Sequence, residues 1–554
     1  MRTNLVRGGV IAAMAGAAIS GVAVAANGAE ASGVSLTNVP TANQKAEGYA
    51  PASRLSTELL GRVLAQGSTL VENPSALTST YGYDNDVTTA GGFPQMLPTK
   101  TNPNTEAQKT EPDKNTFLVF KDGLTGADSS YNYGTHFLFQ GHEGGAGGNS
   151  YITRINMDAD AAHRVTLLAT NDANGNPIKT IDGSTWDPFA QRLLFTTENA
   201  NNPTYAAWPG YPSTVTDVSG ALGRGGYEGI QNDRDGNIWI VEDIGGAFKT
   251  TSTGASTTAK RPNSFLYRYV PASPGDLAHG KLQALQALDS SGQPITFESQ
   301  AAVNNADQVA LHSYGQTFKT QWVTIHDTAI QGNLPFNANT AAKAAHATPF
   351  KRPENGVFEP SDGFRNFYFT ETGDTDATSV ENNTAGGWGS LFQVTQSSPS
   401  ADTGTIRVFY KGDEVHTGLD NIGFISATQL GAVEDAGDLL HTQRNALDSG
   451  YAWDIRTDYA SGAQPTRWLA QGRDASATID SSFGGFGKND SDNEITGLHI
   501  SNGDSSVQGI LGAAKPNFGT GSADNNNTGK ATWRWFYTQQ HGDNVTYEVL
   551  PSGR

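Results

Sequence analysis

The chain has 554 residues, only 16% of them charged, yet its balance is lopsided at a net −19, and it contains no cysteine. Without cysteine there are no disulfides, no lipoprotein anchor, no thiolate metal ligands and no cysteine nucleophile. So acidic a surface repels nucleic acid and anionic membranes, whose recognition needs clustered lysine and arginine; hard cations held by oxygen ligands suit it better.

In chain order, Arg2 and Arg7 form a short positive segment, and Val10 to Ala25 is apolar and small. Ala23-Val24-Ala25 offers a small-x-small cleavage site, with a second at Ala29-Glu30-Ala31. This is the layout of a secretory signal peptide within residues 1–31, too short for a membrane span; the alternative is an uncleaved N-terminal anchor. The expectation is a secreted protein, or a periplasmic one in a cell with an outer membrane. Losing the two arginines takes the mature chain to about −21. Residues 32–110 are expected to be a lead-in. Within it, Ser53 to Gln66 carries Leu55, Leu59, Leu60, Val63 and Leu64 at helical spacing, which predicts one short amphipathic helix.

From about residue 111 to 554 the pattern changes to short alternating runs such as Thr116–Phe120, His136–Phe139 and Ile238–Val241. A larger unit recurs: an apolar strand, a turn rich in Asp, Gly or Asn, a second apolar strand, then an acidic cluster. It is seen at 185–199, 227–246, 353–374 and 419–438, and at 494–504 with its partner strand delayed to 534–543. With 64 glycines and 24 prolines, recurrence of this kind predicts an all-β chain built as a β-propeller with room for six or seven blades. The competing architecture is a β-sandwich or jelly roll. Gly-, Ser- and Asn-rich stretches at 249–262, 375–388 and 514–530 are expected to be surface insertions.

Acids cluster where strands run into loops: Glu198, Glu242 with Asp243, Glu371 with Asp374, and Glu434 with Asp435. In a propeller such loops converge on the central channel, and converging like charges need a cation, for which Ca²⁺ takes six to eight oxygens. Asp233-Arg234-Asp235-Gly236-Asn237 lacks EF-hand spacing and is expected to be a tight hairpin turn. His142-Glu143 and His541 follow apolar runs and enter Gly-containing loops. Arg352-Pro353-Glu354 places a fork of donors suited to an oxyanion two residues from a candidate metal ligand. No Gly-x-Ser-x-Gly elbow, phosphate-cradling loop or His-x-x-x-His pair occurs, which disfavours serine hydrolysis and nucleotide binding.

These residues resemble the PhoX-type alkaline phosphatases, in the family's order, over roughly residues 130–545. His142-Glu143 resembles the family's Asn-His-Glu motif, with Gly141 in place of Asn, and Leu194 to Asn199 resembles the strand ending in Thr-Cys-Glu-Glu. Gly223 to Glu228 resembles the Gly-Arg-x-x-x-Glu region, and Pro274 to Leu282 the stretch ending in Gly-Lys-Leu. Arg352-Pro353-Glu354, Asp420-Asn421, Glu494 to Gly497 and Gln539 to Gly542 are similar to the Arg-Pro-Glu, Asp-Asn, Glu-x-Thr-Gly and Gln-His-Pro-Gly motifs. The resemblance implies a six-bladed propeller with calcium and iron in its channel, hydrolysing phosphomonoesters as a monomer acting on small phosphorylated substrates. It implies Glu198, Glu228, Glu354, Asp420 and Glu494 as metal ligands, and Arg352, Glu354 and His541 as catalytic residues. Two departures stand out. The family's iron-binding cysteine is Thr197 here, and Arg2 and Arg7 are isolated where a twin-arginine leader would be usual. Both argue for calcium alone, with iron absent or differently bound. The competing functions are a calcium-dependent propeller lactonase or phosphotriesterase, and a non-catalytic propeller that binds a partner or polymer.

Overall fold

The computed structural model describes residues 34–45, 52–83, 110–144, 150–251, 253–296, 305–472, 494–518, 533–540 and 544–552. Strands dominate, helices are short, and among the described residues no helix is long and apolar enough to cross a membrane.

The strands form an all-β propeller of antiparallel four-stranded units in chain order. The first runs Pro112–Val119, His136–His142, Tyr151–Asn156, Val165–Ala169, and the second Ile181–Asp187, Arg192–Thr197, Tyr205–Ala207, Val215–Asp217. The third holds Tyr227–Asn232, Ile238–Glu242, Leu266–Pro271 and Gly280–Leu288, and the fourth Pro353–Phe358, Asn366–Glu371, Ser390–Gln396 and Thr403–Lys411. A strand at Phe318–Asp327 pairs with the outer edges of both and welds them into one nine-stranded sheet. Six units are counted where that sheet is divided at this strand. The fifth is Leu419–Phe424, Gln429–Glu434, Ser449–Asp454, Thr466–Ala470, and the sixth begins with Ile495–Ser501, Arg534–Gln539 and Val545–Pro551. The first strands of successive units touch each other in a closed ring, sixth against first. They are the inner strands.

The N-terminal segment departs from its helical spacing. It forms two strands, Arg54–Leu55 and Leu59–Ala65. The second pairs with the C-terminal strand from Leu59↔Pro551 to Ala65↔Thr546, completing the sixth unit; the first adds to the edge of the fifth. Leu59 and Ala65 at its two ends are buried, while Leu60 is half-exposed. The reason is tertiary: an unpaired C-terminal edge supplies a ladder that helical spacing cannot outweigh.

Between units the core is aromatic. Trp239 of the third unit meets Trp322 of the welding strand and Phe358 and Phe367 of the fourth at centroid separations of 5.1, 5.2 and 4.9 Å. The expected insertions at 249–262 and 375–388 fall between successive strands of the third and fourth units and are tied to each other. The first contains a hairpin, Phe248–Thr250 with Ser256–Lys260. Buried charges then stitch the two segments together: Lys249 Nζ to Glu381 at 2.6 Å, and Lys351 Nζ to Asp374 at 2.8 Å and to Glu381 at 2.5 Å. Burial is tolerated because every charge has a partner. Much of 514–530 lies outside the described residues.

Candidate metal centre

All six inner strands start alike. Their second residues are Asp113, Asp182, Glu228, Glu354, Asp420 and Thr496. In five of them the pairing breaks directly after the first residue, so the acid and its successor together oppose a single residue on the neighbouring strand. In the sixth the break comes one residue later. Such β-bulges bend the strand and re-aim a side chain; here, repeated around a ring, they bring acids from residues 113 to 420 to one end of the channel.

A second layer follows from the same geometry. The residue just after each unit's second strand donates its N–H to the carbonyl of the residue just before the inner strand. The pairs are Glu143 to Glu111 (3.0 Å), Glu198 to Thr180 (3.1 Å), Asp243 to Gly226 (2.6 Å), Thr372 to Arg352 (2.8 Å), Asp435 to Gly418 (2.7 Å) and Gln540 to Glu494 (3.1 Å). This clamp places Glu143, Glu198, Asp243, Thr372, Asp435 and Gln540 around the first layer. It also bends the preceding residue: Glu111, Thr180, Arg352 and Gly418 have φ of 50°, 21°, 55° and 59°, which a non-glycine residue holds only when its surroundings impose it.

The acids close to ligand distance. Asp113, Glu143 and Asp182 offer oxygens within 4.8 Å of one another, as do Asp182, Glu198 and Glu228, and Glu228, Asp243 and Glu354. Glu198 is the exposed member of this arc. Burial, reinforced by the neighbouring carboxylates, pushes Glu143, Asp182, Glu228 and Glu354 well above the usual carboxyl range. Oδ1 of Asp182 and Oδ1 of Asp243 are buried without a hydrogen-bond partner. Buried acids in mutual repulsion, with orphaned oxygens between them, suit divalent cations. Arg352 borders the arc. Its Nε and Nη2 lie 2.8 and 2.7 Å from Asp243 Oδ2, and Nη2 is 3.5 Å from Glu354 Oε1. Its side chain keeps 23% of its exposure, so the fork, which has five N–H donors, also faces solvent.

A family model described as Alkaline phosphatase PhoX matches residues 249–502. The fold is similar to that of Pseudomonas fluorescens PhoX in complex with vanadate, a transition state analogue, at 12% identity and a TM-score of 0.53, over 94% of this chain and 98% of that one. The chain thus resembles the PhoX alkaline phosphatases in sequence over residues 249–502 and shares their fold over most of its length. Two more distant structures have TM-scores too low to bear on the argument. They are the PQQ domain of Coprinopsis cinerea pyranose dehydrogenase (11% identity, 69% of this chain, 95% of that chain, 0.25) and Pseudomonas brassicacearum lignostilbene dioxygenase (8%, 80%, 87%, 0.29). No curated protein sequence matches the chain.

The PhoX-like motifs coincide with the structural repeat. Arg-Pro-Glu at 352–354, Gly-Leu-Asp at 418–420 and Glu-Ile-Thr at 494–496 are the same three positions in three units, and Asp420-Asn421 starts on the last of them. Glu198, Glu228 and Glu354 lie in the arc. Asp420 occupies the same layer in the fifth unit, held by Asn421 Nδ2 at 2.9 Å and facing Asn355 Nδ2 at 3.4 Å. Glu494 holds the place that Arg352 has in the fourth unit. His541 lies outside the described residues. His142 is a core residue: its ring nitrogens lie 3.0 Å from Thr110 Oγ1 and 2.8 Å from Thr153 Oγ1, and burial pulls it down to about 3. Thr197 is buried at the end of its strand and donates to the Pro203 carbonyl at 2.9 Å.

Three acids singled out at strand ends do structural work instead. Glu242, Glu371 and Glu434 each sit opposite the first residue of an inner strand. They accept backbone N–H groups from Phe265 (3.1 Å), Lys351 (2.6 Å) and Ser449 (2.8 Å) respectively. The residues that sequence reasoning passed over are Asp113, Asp182 and the glutamate of His142-Glu143 as a member of the arc. For Asp113 and Asp182 the signal was an acid as second residue of a strand, followed by Lys or Gly; Glu143 instead follows the end of a second strand, as Glu198 and Asp243 do.

That following glycine has a purpose. A Cβ on Gly183 would lie 1.9 Å from the Glu228 carbonyl oxygen and 2.6 Å from Thr196 Oγ1, so a side chain would push adjacent inner strands apart. Gly183→Ala is expected to lower the melting temperature by several degrees, corresponding to about 1–3 kcal/mol of overpacking, and to weaken metal binding. Thermal unfolding with and without calcium checks both.

Proposed function

We propose that this chain is a calcium-dependent phosphomonoester hydrolase acting on small phosphorylated substrates. The observation that carries the reading is the guanidinium of Arg352 held at the border of an arc of buried carboxylates with orphaned oxygens. Glu198, Glu228 and Glu354, with Asp113, Glu143, Asp182 and Asp243, would hold the cations. When bound, these supply positive charge to the phosphoryl oxygens. Arg352 orients the ester by its planar fork, with Asp243 fixing the plane of that fork. Thr372 Oγ1, which donates to Glu354, holds the Glu354 carboxylate toward the arc. His541 stays in the proposed catalytic set on sequence grounds. The vanadate complex of the similar Pseudomonas fluorescens protein supports a phosphoryl-transfer chemistry for the fold. Oxygen ligands without any thiolate favour calcium over iron, and the signal-peptide layout of residues 1–31 supports export to where calcium is plentiful.

The test is turnover of p-nitrophenyl phosphate by purified protein. Activity is expected in calcium, lost in EDTA and regained on adding calcium back. Turnover unchanged by EDTA, or none with calcium present, would reject the reading, and stoichiometric iron in active protein would reject its calcium assignment.

A further inference from the structure

The metal-capable arc covers only part of the ring. Its three groups run from Asp113 and Glu143 of the first unit to Glu354 of the fourth. The fifth and sixth units contribute Asp420 and Thr496 to the same layer, and it is on this side that Lys114 lies. The residue after the first-layer position is Lys114, Gly183, Gly229, Asn355, Asn421 or Gly497; five are small and one is a lysine. The Lys114 ammonium is buried and donates to Asn421 Oδ1 of the fifth unit at 2.8 Å and to the Leu498 carbonyl of the sixth at 3.0 Å. That carbonyl belongs to the bulge of the sixth inner strand. Asn421 in turn donates to both oxygens of Asp420 at 2.9 Å and to Thr496 Oγ1 at 3.1 Å. Ammonium, amide and carboxylate thus form one chain across the channel.

We propose that the Lys114 ammonium is a built-in cation that balances Asp420 on the side of the fifth and sixth units and confines divalent ions to the arc of the first four. The inference rests on the metal-centre reading and refines it: Asp420 answers to a lysine, and Lys114 sets how many ions the channel holds. A buried charge persists only where a partner of opposite sign meets it.

The experiment is calcium stoichiometry by elemental analysis, with melting temperature in EDTA and in calcium as second readout. Lys114→Met is expected to bind one more calcium per chain than wild type, and to melt lower in EDTA with a larger recovery in calcium. Adding Asp420→Asn to that variant is expected to abolish the gain. Asp420→Asn alone is expected to keep the wild-type calcium count. An unchanged count in folded Lys114→Met would overturn the inference, as would loss of an ion in Asp420→Asn alone; the latter decides the matter if Lys114→Met does not fold. A wild-type chain without calcium would reject the phosphatase reading, while a gain in Lys114→Met would still uphold the role of Lys114.

Discussion

Arg352→Ala is expected to lower kcat/KM for p-nitrophenyl phosphate by about 10²- to 10³-fold, the range found when one preorganised donor to a developing oxyanion is removed. The Arg352 fork is fixed before substrate arrives. Asp243 takes its Nε and Nη2 at 2.8 and 2.7 Å, and the Arg352 carbonyl takes the Thr372 N–H at 2.8 Å. Although burial opposes its charge, Asp243 and Glu354 raise the guanidinium well above its ordinary value, so it is cationic at any working pH. Alanine removes that cation and leaves Asp243 and Glu354 with one more uncompensated charge. Metal content is therefore expected to hold or rise while turnover collapses. That split separates a role in binding the ester from a role in building the centre. Arg352→Lys keeps a point charge without the bidentate fork and is expected to fall between the two. Steady-state kinetics with metal analysis of the same samples checks this; loss of calcium in step with activity would assign Arg352 to the metal centre instead.

The second large effect is on stability. Metal-free protein is expected to lose stability as pH rises from about 4 to about 8, and calcium is expected to restore most of it. Unfolded, the carboxyls titrate near 4. Folded, burial pushes Asp182, Glu228 and Glu354 well above their usual range. Between those values the native state binds more protons than the unfolded chain, and stability falls with pH wherever that holds. Each displaced unit corresponds to about 1.4 kcal/mol, so several such groups make a large change for a fold whose net stability is of order 10 kcal/mol. Calcium reverses it by binding the ionised arc, adding about 2.7 kcal/mol at one hundred times its Kd. A smaller part of the fall is expected to ignore calcium, because burial also raises Glu242 to about 8 and Asp420 and Glu434 to about 7, and these three lie outside the arc. Melting curves across pH in EDTA and in calcium resolve the two parts. A flat curve in EDTA would contradict the mutual repulsion on which the metal centre rests.

The legibility of this protein divides along one line. Whatever depends on neighbours in sequence could be read directly: alternating strand runs, the Asp233–Asn237 hairpin turn, acids at strand ends, and Arg352 two residues from Glu354. What depends on neighbours in space could not. Leu55 to Leu64 has helical spacing, yet forms strands because the chain's other end, at Val545–Pro551, offers an open edge. Glu242 and Asp243 are adjacent and chemically alike. One is turned into the sheet to accept a backbone N–H, the other into the arc beside Glu228 and Glu354, and only the register of the hairpin separates them. Asp113 and Asp182 share the strand-start pattern of Glu228, Glu354 and Asp420, but what they do arises only when bulges on different strands aim at the same point. By itself, then, the sequence determined that acids end the strands of a repeating all-β chain. Which of those acids gather, and that they gather beside Arg352 and across from Lys114, was decided by the tertiary ring, since only the ring brings residues as far apart in sequence as Glu228 and Glu354 within reach of one cation.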